Sequence, residues 1–452
     1  MPASTEFKKA FTPIRLEESF QIISDSSNAV GNDRITIRKF KSISSQEYET
    51  IIRKVARGTY RFTTYRQLLL SKGANEKPRV LCIPTVRDRV VLKALSSVID
   101  EAFGKTCRTQ LPQDVISSLV SAIQSGHYSA FLKVDMQQFY DNIDHEQLMK
   151  TLRAKIRKPE ILQLIQNAIT TPSSQFGHKS TQMKKKGVPQ GLCISNSLAN
   201  VAASKLDRVI TRKIPDALYY RYVDDIIILC QTEKLPLVKQ VVQAESERYK
   251  FVIKEKKTKE GSLENDSFDY LGYVFDGHKI TVRQASKQKI EQSLERQMRE
   301  VASHNGDPSG SPFKRSCDQL NRRITGCKIT ADGNTFQRYG WLFYYSKIND
   351  ISYLAQLDAL VKKYALRFGV NLPPDTPSFK KAYYQMRYKG RQSSYFPVFH
   401  LHLSAQEARK VLNRLIDPKI VSSLSNDEVL VRYRREIDRI IRGLEKDIGA
   451  VS

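Results

Sequence analysis

Two adjacent carboxylates, Asp224 and Asp225, stand between two strand-prone runs. Leu218 to Tyr222 is rich in tyrosine, and Ile226 to Cys230 is apolar and largely β-branched. Such runs on either side of a short gap predict a hairpin with Val223-Asp224-Asp225 as its tight turn, so both carboxylates sit at its tip. Like charges this close repel and call for a cation. An Asp-rich turn is also a common solvated turn, so the pair alone leaves both readings open.

A second acidic site lies upstream, in Phe131-Leu132-Lys133-Val134-Asp135-Met136-Gln137-Gln138-Phe139-Tyr140-Asp141, where an apolar strand again ends on a carboxylate. A pair of divalent ions about 4 Å apart, bridging the attacking and leaving oxygens of a phosphoryl transfer, needs carboxylates from two elements converging on one point. Asp135 with Asp224 and Asp225 has that form. At these residues the chain resembles the reverse transcriptases, in which an Asp ending one strand and a Tyr-x-Asp-Asp hairpin build the polymerase metal site.

Further motifs of that family follow in order. Gly187-Val188-Pro189-Gln190-Gly191-Leu192-Cys193-Ile194-Ser195-Asn196 is similar to its Pro-Gln-Gly segment leading into a helix, and Arg79 to Arg89 to the finger motif of group II intron and related bacterial enzymes. Glu255-Lys256-Lys257-Thr258 and Phe268-Asp269-Tyr270-Leu271-Gly272-Tyr273 resemble the Lys-Thr motif and the primer-grip hairpin. Val80 and Cys82 depart from the usual finger residues. Leu192 to Asn196 looks more like the abortive-infection and defence-associated bacterial enzymes than like intron maturases.

Composition agrees. Seventy-four basic against forty-seven acidic side chains give a net charge of +27, spread over the 452 residues, which is the electrostatic footprint of a nucleic-acid binder. The six cysteines show no zinc-ligand spacing, the N-terminus lacks an apolar signal core, and no apolar run approaches a membrane span, so a cytoplasmic protein without membrane partners is expected.

The resemblance implies an α/β (α+β) right-hand polymerase. Residues 1–130 would form an N-terminal region and fingers, 131–281 the palm with finger elements inserted at about 145–185, 282–370 a helical thumb, and 371–452 a mostly helical C-terminal extension. Asp144, followed three residues on by Gln147, reads as a helix cap rather than a metal ligand. The final helix, with Leu430, Tyr433, Ile437, Ile440, Leu444 and Ile448 at spacings of three and four, has one apolar face.

The resemblance also implies roles. Asp135 and Asp224 would hold two Mg2+ ions, for which Mn2+ can substitute, with Asp225 beside them and the Met136 carbonyl as an extra ligand. Arg79, with Lys77 and Arg87, would contact the triphosphate, because guanidinium offers paired donors to phosphate oxygens. Tyr140 would pack beneath the incoming sugar and exclude a 2′-hydroxyl. Gln190 and Gly191 would position the template base, Gly191 because it lacks the Cβ that blocks close approach. Lys257 would protonate the leaving pyrophosphate, and Tyr270, Leu271 and Gly272 would shape the primer grip by packing.

Past residue 377 the resemblance ends. Residues 379–397 carry Lys380, Lys381, Arg387, Lys389 and Arg391 among Phe379, Tyr383, Tyr384, Tyr388, Tyr395 and Phe396, with no acid. Two readings stay open there: a surface that pairs phosphates and stacks bases, or a cationic loop whose aromatics fill a local core. The expected function is an RNA-directed DNA polymerase using deoxynucleoside triphosphates, an RNA template and a DNA product, serving antiviral defence with a dedicated structured RNA. A group II intron maturase and a catalytically silent RNA-binding scaffold are the alternatives. A homo-oligomer is compatible with the sequence.

Overall fold

A computed structural model describes residues 3–71, 78–108, 110–175, 182–390 and 393–449. Two of the expected site residues, Lys77 and Arg391, lie outside the described residues. The chain divides into two compact units, one from Met1–Leu111 with Gly126–Ser262, the other from Pro112–Ser125 with Leu263–Ser452.

In the first unit, β1 (Tyr65–Leu70) pairs antiparallel with β2 (Arg79–Ile83) and parallel with the short β4 (Ser173–Ser174). Thr85 then caps the helix Val86–Phe103 by accepting from the Asp88 amide. Most of this helix is apolar and buried, which makes it the spine of the unit. Asp88 is buried with it, accepting from the Tyr60 hydroxyl at 2.6 Å and the Thr63 amide at 3.0 Å.

A four-stranded antiparallel sheet holds β3 (Ala130–Asp135), β5 (Leu218–Tyr222), β6 (Asp225–Cys230) and β7 (Lys259–Ser262), in the order β5-β6-β3-β7. β6 is buried along its whole length, which explains its unbroken apolar run in place of an alternation: both faces are covered. The helix Leu235–Arg248 packs on β3 and on the helix Ser195–Lys213. The region ahead of β1 is helical at Ala3–Ala10, Pro13–Ser26 and Ile37–Ala56.

In the second unit, β8 (Ser267–Tyr270), β9 (Tyr273–Asp276) and β10 (Lys279–Val282) form a meander. Long helices follow at Gln284–Ser303, Ser311–Thr325, Ser352–Arg367 and Asn426–Ile448. The apolar face of the last is buried at Val429, Tyr433, Ile437 and Leu444.

One element was not anticipated from sequence. β11 (Cys327–Thr330) pairs antiparallel with β12 (Gln337–Tyr339) and parallel with β13 (Val398–His400). These strands are three or four residues long, too short for a periodicity to emerge. β11 buries Lys328, whose Nζ donates to the carbonyls of Ser393 at 3.2 Å and Gly390 at 3.4 Å. Among the described residues, no helix is long and apolar enough to cross a membrane.

Candidate active site

The register of the four-stranded sheet brings the acidic residues together. β3 and β6 run antiparallel with Asp135 opposite Asp225, and Tyr222 lies opposite Asp225 across the β5–β6 hairpin. The amide of Met136 donates to the Asp224 carbonyl at 2.9 Å, so the turn is tied to the end of β3. The hairpin expected from sequence is present, but only Val223 and Asp224 lie between the strands: Asp225, expected in the turn as well, is the first residue of β6, paired with Tyr222 and Asp135.

That turn is strained. Val223 has φ +57°, a left-handed conformation that a β-branched side chain rarely adopts and that costs about 1–3 kcal/mol. Arg221 clamps it: Nη1 donates to the Val223 carbonyl at 2.8 Å, while Nε and Nη2 each reach an oxygen of Asp207 at 2.7 Å. Tyr219 donates to the same Asp207 at 2.7 Å, which fixes β5 to the helix Ser195–Lys213. Arg221 and Asp207 did not stand out in the sequence. Their only signal there is an arginine inside a tyrosine-rich strand.

The like charges are offset by cations. Lys257 Nζ is 3.3 Å from Asp135 Oδ2, and Lys133 Nζ is 3.8 Å from Asp225 Oδ1. Burial, followed by the neighbouring Asp135 charge, holds the Asp224 carboxyl above its ordinary range, while Lys257 and Arg79 act against that rise. The donor set that suits a hard divalent cation is therefore Asp135 and Asp224, with Asp225 buried against Lys133. Among the described residues, no three His, Cys, Asp or Glu side chains are gathered into a ready metal cage.

Tyr140 and the Pro-Gln-Gly segment adjoin these carboxylates. Burial and then the Asp224 charge raise the Tyr140 phenol, whose hydroxyl donates to Asn196 Oδ1 at 3.3 Å. Arg79 Nε donates to Gln190 Oε1 at 2.5 Å, joining the finger motif to the Pro-Gln-Gly loop. The Gln190 carbonyl accepts from the Cys82 amide at 2.6 Å. Gly191, at φ +104°, has the Cys82 carbonyl 2.6 Å from where a Cβ would lie, so the close approach that demands glycine is to β2 itself.

Arg87 is not brought to this group. It faces Glu47 at 3.8 Å and Thr63 at 3.4 Å, bracing the fold around Asp88. Asp144 caps the helix His145–Arg153 through the Gln147 amide and pairs with Lys250 at 2.8 Å, as a capping residue would.

The family described as reverse transcriptase (RNA-dependent DNA polymerase) matches residues 70–275, the span that carries Asp135, Asp224, Asp225, Tyr140, Arg79 and the Pro-Gln-Gly segment. The group II intron-encoded protein LtrA of Lactococcus lactis subsp. cremoris is 27% identical over 173 residues, 37% of this chain and 28% of that protein. Residues 70–275 are a reverse transcriptase domain. Protein YkfC of Escherichia coli (strain K12) is 20% identical over 323 residues, 61% of this chain and 82% of that protein. The chain thus spans under a third of LtrA and most of YkfC. Among solved structures, telomerase from Candida albicans in complex with a fragment of telomeric RNA superposes with a TM-score of 0.45 at 13% identity, covering 86% of this chain and 69% of that one.

The reverse transcriptase domain ends in the β8–β9 hairpin. Leu271 and Gly272, at φ +49° and +82°, make its two-residue turn, and Tyr270 and Leu271 are buried. The Tyr344 hydroxyl donates to the Leu271 carbonyl at 3.0 Å, and a Cβ on Gly272 would lie 2.6 Å from the Tyr345 hydroxyl. Packing dominates at this hairpin.

Outside the reverse transcriptase domain, the aromatics of residues 379–397 divide. Phe379, Tyr383 and Phe396 are core, with the Tyr383 hydroxyl donating to the Ile348 carbonyl at 2.6 Å. Tyr384 and Tyr388 are 45% and 73% exposed and stack on each other, ring centres 5.8 Å apart. Arg387 is held against Tyr383 at 2.5 Å, and Lys381 lies over the Tyr395 ring at 5.4 Å.

A raised carboxyl pKa means that the folded chain keeps the Asp224 proton longer than the unfolded chain does. The metal-free fold therefore loses stability as pH rises from the unfolded value, about 4, through the folded one, and carries that penalty at neutral pH. Asp224→Asn should raise the melting temperature of the metal-free protein at pH 7, with the gap closing below about pH 4. Thermal melts in a chelator check this, and a variant that melts no higher than wild type at pH 7 contradicts it.

Proposed function

We propose that the chain is an RNA-directed DNA polymerase, adding deoxynucleotides to a 3′-hydroxyl with release of pyrophosphate. The observation that carries the reading is the β3–β6 register, which sets Asp135 beside the Tyr222-Val223-Asp224-Asp225 hairpin. We take residues 1–130 as N-terminal region and fingers, 131–281 as palm, 282–370 as thumb and 371–452 as an extension. Asp135 and Asp224 would hold two Mg2+ ions, with Asp225 and the Met136 carbonyl beside them; such ions lower the pKa of the primer hydroxyl and neutralise triphosphate charge.

The chain's own groups do the rest. Arg79, oriented by Gln190, offers its guanidinium fork to the triphosphate. Lys257, held at Asp135, is the proton donor to the pyrophosphate leaving as the bond from the α-phosphorus to its bridging oxygen breaks. Tyr140, steadied by Asn196, closes the space a 2′-hydroxyl would need. Gln190 and Gly191 support the template base, and Tyr270, Leu271 and Gly272 shape the primer grip. Lys380 and Lys389, in the same segment as the stacked Tyr384 and Tyr388, would contact unpaired nucleic acid, with Lys381 over the half-buried Tyr395 ring and Arg387 held to the buried Tyr383.

For its setting we propose antiviral defence with a dedicated non-coding RNA, supported by the Leu192-Cys193-Ile194-Ser195-Asn196 segment. A second reading, an intron-type maturase, is favoured by the likeness to LtrA. Sequencing the RNA and DNA that co-purify with the protein separates them. Reads from one small structured RNA support the defence reading, and reads from a self-splicing intron support the other.

Replacing Asp224 and Asp225 by Ala should abolish primer extension while leaving RNA binding and the fold nearly intact, since each 1.36 kcal/mol of lost barrier reduction is about tenfold in rate. A double variant that extends at a near wild-type rate would overturn the polymerase reading and leave the RNA-binding scaffold. In the same assay, Tyr140→Ala should raise the ratio of ribonucleotide to deoxynucleotide incorporation, whereas an unchanged ratio assigns Tyr140 to packing. Changing Tyr384 and Tyr388 together to Ala should weaken binding of single-stranded RNA by about 1–3 kcal/mol per stacked base with the melting temperature unmoved. Filter binding with unaltered affinity would discard that surface.

A further inference from the structure

A cleft of about 610 Å³ opens in the second unit between the helices Gln284–Ser303, Ser311–Thr325 and Asn426–Ile448. Its lining is rich in cations, namely Arg296, Arg322, Arg323, Arg439, Arg442 and Lys446, against the carboxylates Glu300 and Glu436. None of these residues belongs to the span that matches the reverse transcriptase family.

Part of that charge is compensated by the protein. Arg323 Nη1 contacts both oxygens of the buried Asp447 at 2.7 and 2.5 Å, and the Ser293 hydroxyl donates to the same carboxylate at 2.6 Å. Arg323 Nε also donates to Gln297 Oε1 at 3.2 Å, so the floor of the cleft is a closed network. Glu436 is shared between Arg432 at 2.9 Å and Arg439 at 3.6 Å. Arg296, Arg322, Arg442 and Lys446 face one remaining lining carboxylate, Glu300, while Arg296 also donates to the Ser293 hydroxyl at 3.3 Å and Arg442 to the Asp438 carbonyl at 3.4 Å. An excess of like charge on low-dielectric walls concentrates positive potential in the cleft and favours an anion there.

Arg322 is the most telling of the four. Its side chain is half-buried, and its guanidinium makes no hydrogen bond or ion pair with another described residue, Asp318 being the main opposite charge acting on it. Burial lowers its pKa. A guanidinium carries five donors, and drawing it partly out of water without an acceptor is unfavourable unless a ligand supplies one.

Gly443 adds an independent observation. It lies inside the helix Asn426–Ile448, where glycine weakens a helix, yet a Cβ built on it would meet nothing within 4 Å. Packing therefore does not account for glycine at this position, and its effect is to leave that wall of the cleft open.

We infer that this cleft binds a phosphate chain, either the polyphosphate of a free nucleotide or the phosphodiester backbone of an RNA strand. Guanidinium forks match phosphate oxygens in pairs, and the volume falls within the range of about 300–1,000 Å³ usual for ligand pockets. The inference rests on the charge and geometry of the second unit and stands whether or not the chain polymerises DNA.

The test uses the full chain in a chelator, so that a metal at Asp135 and Asp224 recruits neither probe. Binding of sodium tripolyphosphate and of a twelve-nucleotide oligouridylate is measured by calorimetry for wild type, Arg322→Gln and Gly443→Leu. Both variants should weaken at least one probe by about tenfold or more, the scale of a lost charged hydrogen bond, Gly443→Leu by filling the cleft with every cation retained. Loss confined to tripolyphosphate identifies a nucleotide as the source, and loss of oligouridylate identifies a strand. If either variant melts early, Lys446→Gln, at an exposed side chain, repeats the measurement. Folded variants that bind both probes within twofold of wild type overturn the proposal.

Discussion

The first unit is organised around a repulsion. Asp135, Asp224 and Asp225 meet at one end of a sheet, where like charges repel. The fold answers with Lys133 against Asp225 and Lys257 against Asp135, while burial first, and the Asp135 charge after it, raise the pKa of Asp224. Six residues of paired backbone between β3 and β6 hold the charges in place. A site with unmet negative charge is prepared to take up a cation, and that links the strain of the free protein to the chemistry we propose.

The clamp on the hairpin turn follows from the same constraint. Asp224 stands at the tip because Val223 adopts a left-handed conformation, and Arg221 secures that conformation by joining the turn carbonyl to Asp207. One arginine thereby couples the helix that follows the Pro-Gln-Gly segment to the position of Asp224. The Arg79–Gln190 bond and the approach of Gly191 to Cys82 do the same for the finger motif, bringing β2 onto the loop. Residues far apart in the chain are thus held by contacts that a single added Cβ would break.

The second unit shows how one composition supports two outcomes. Phe379, Tyr383 and Phe396 are buried, while Tyr384 and Tyr388, from the same short stretch, face solvent as a stacked pair. Nothing in residue type separates Tyr383 from Tyr384; the helix turns successive side chains by about 100°, and only one of them meets the core. Lys328 shows the same limit from the other side. It is a lysine inside a buried strand, held by backbone carbonyls, where charge alone would place it outside.

Much of the reverse transcriptase domain was legible from residues alone. Two strands flanking Val223-Asp224, a strand ending on Asp135 and the cap at Asp144 follow from local rules, β-prone runs and side-chain capping, while the hairpin at Leu271-Gly272 was expected from the family resemblance. Local rules act over a few residues, and the sequence states them directly. What it could not state is which distant groups meet. That Arg221 answers Asp207, that Arg79 reaches Gln190 while Arg87 turns to Glu47, that Gly191 is glycine because of Cys82, and that six cations line a cleft beside Gly443 were decided by the tertiary structure. Those contacts depend on strand register and helix packing across long stretches of chain, where a shift of one residue reverses the face a side chain presents.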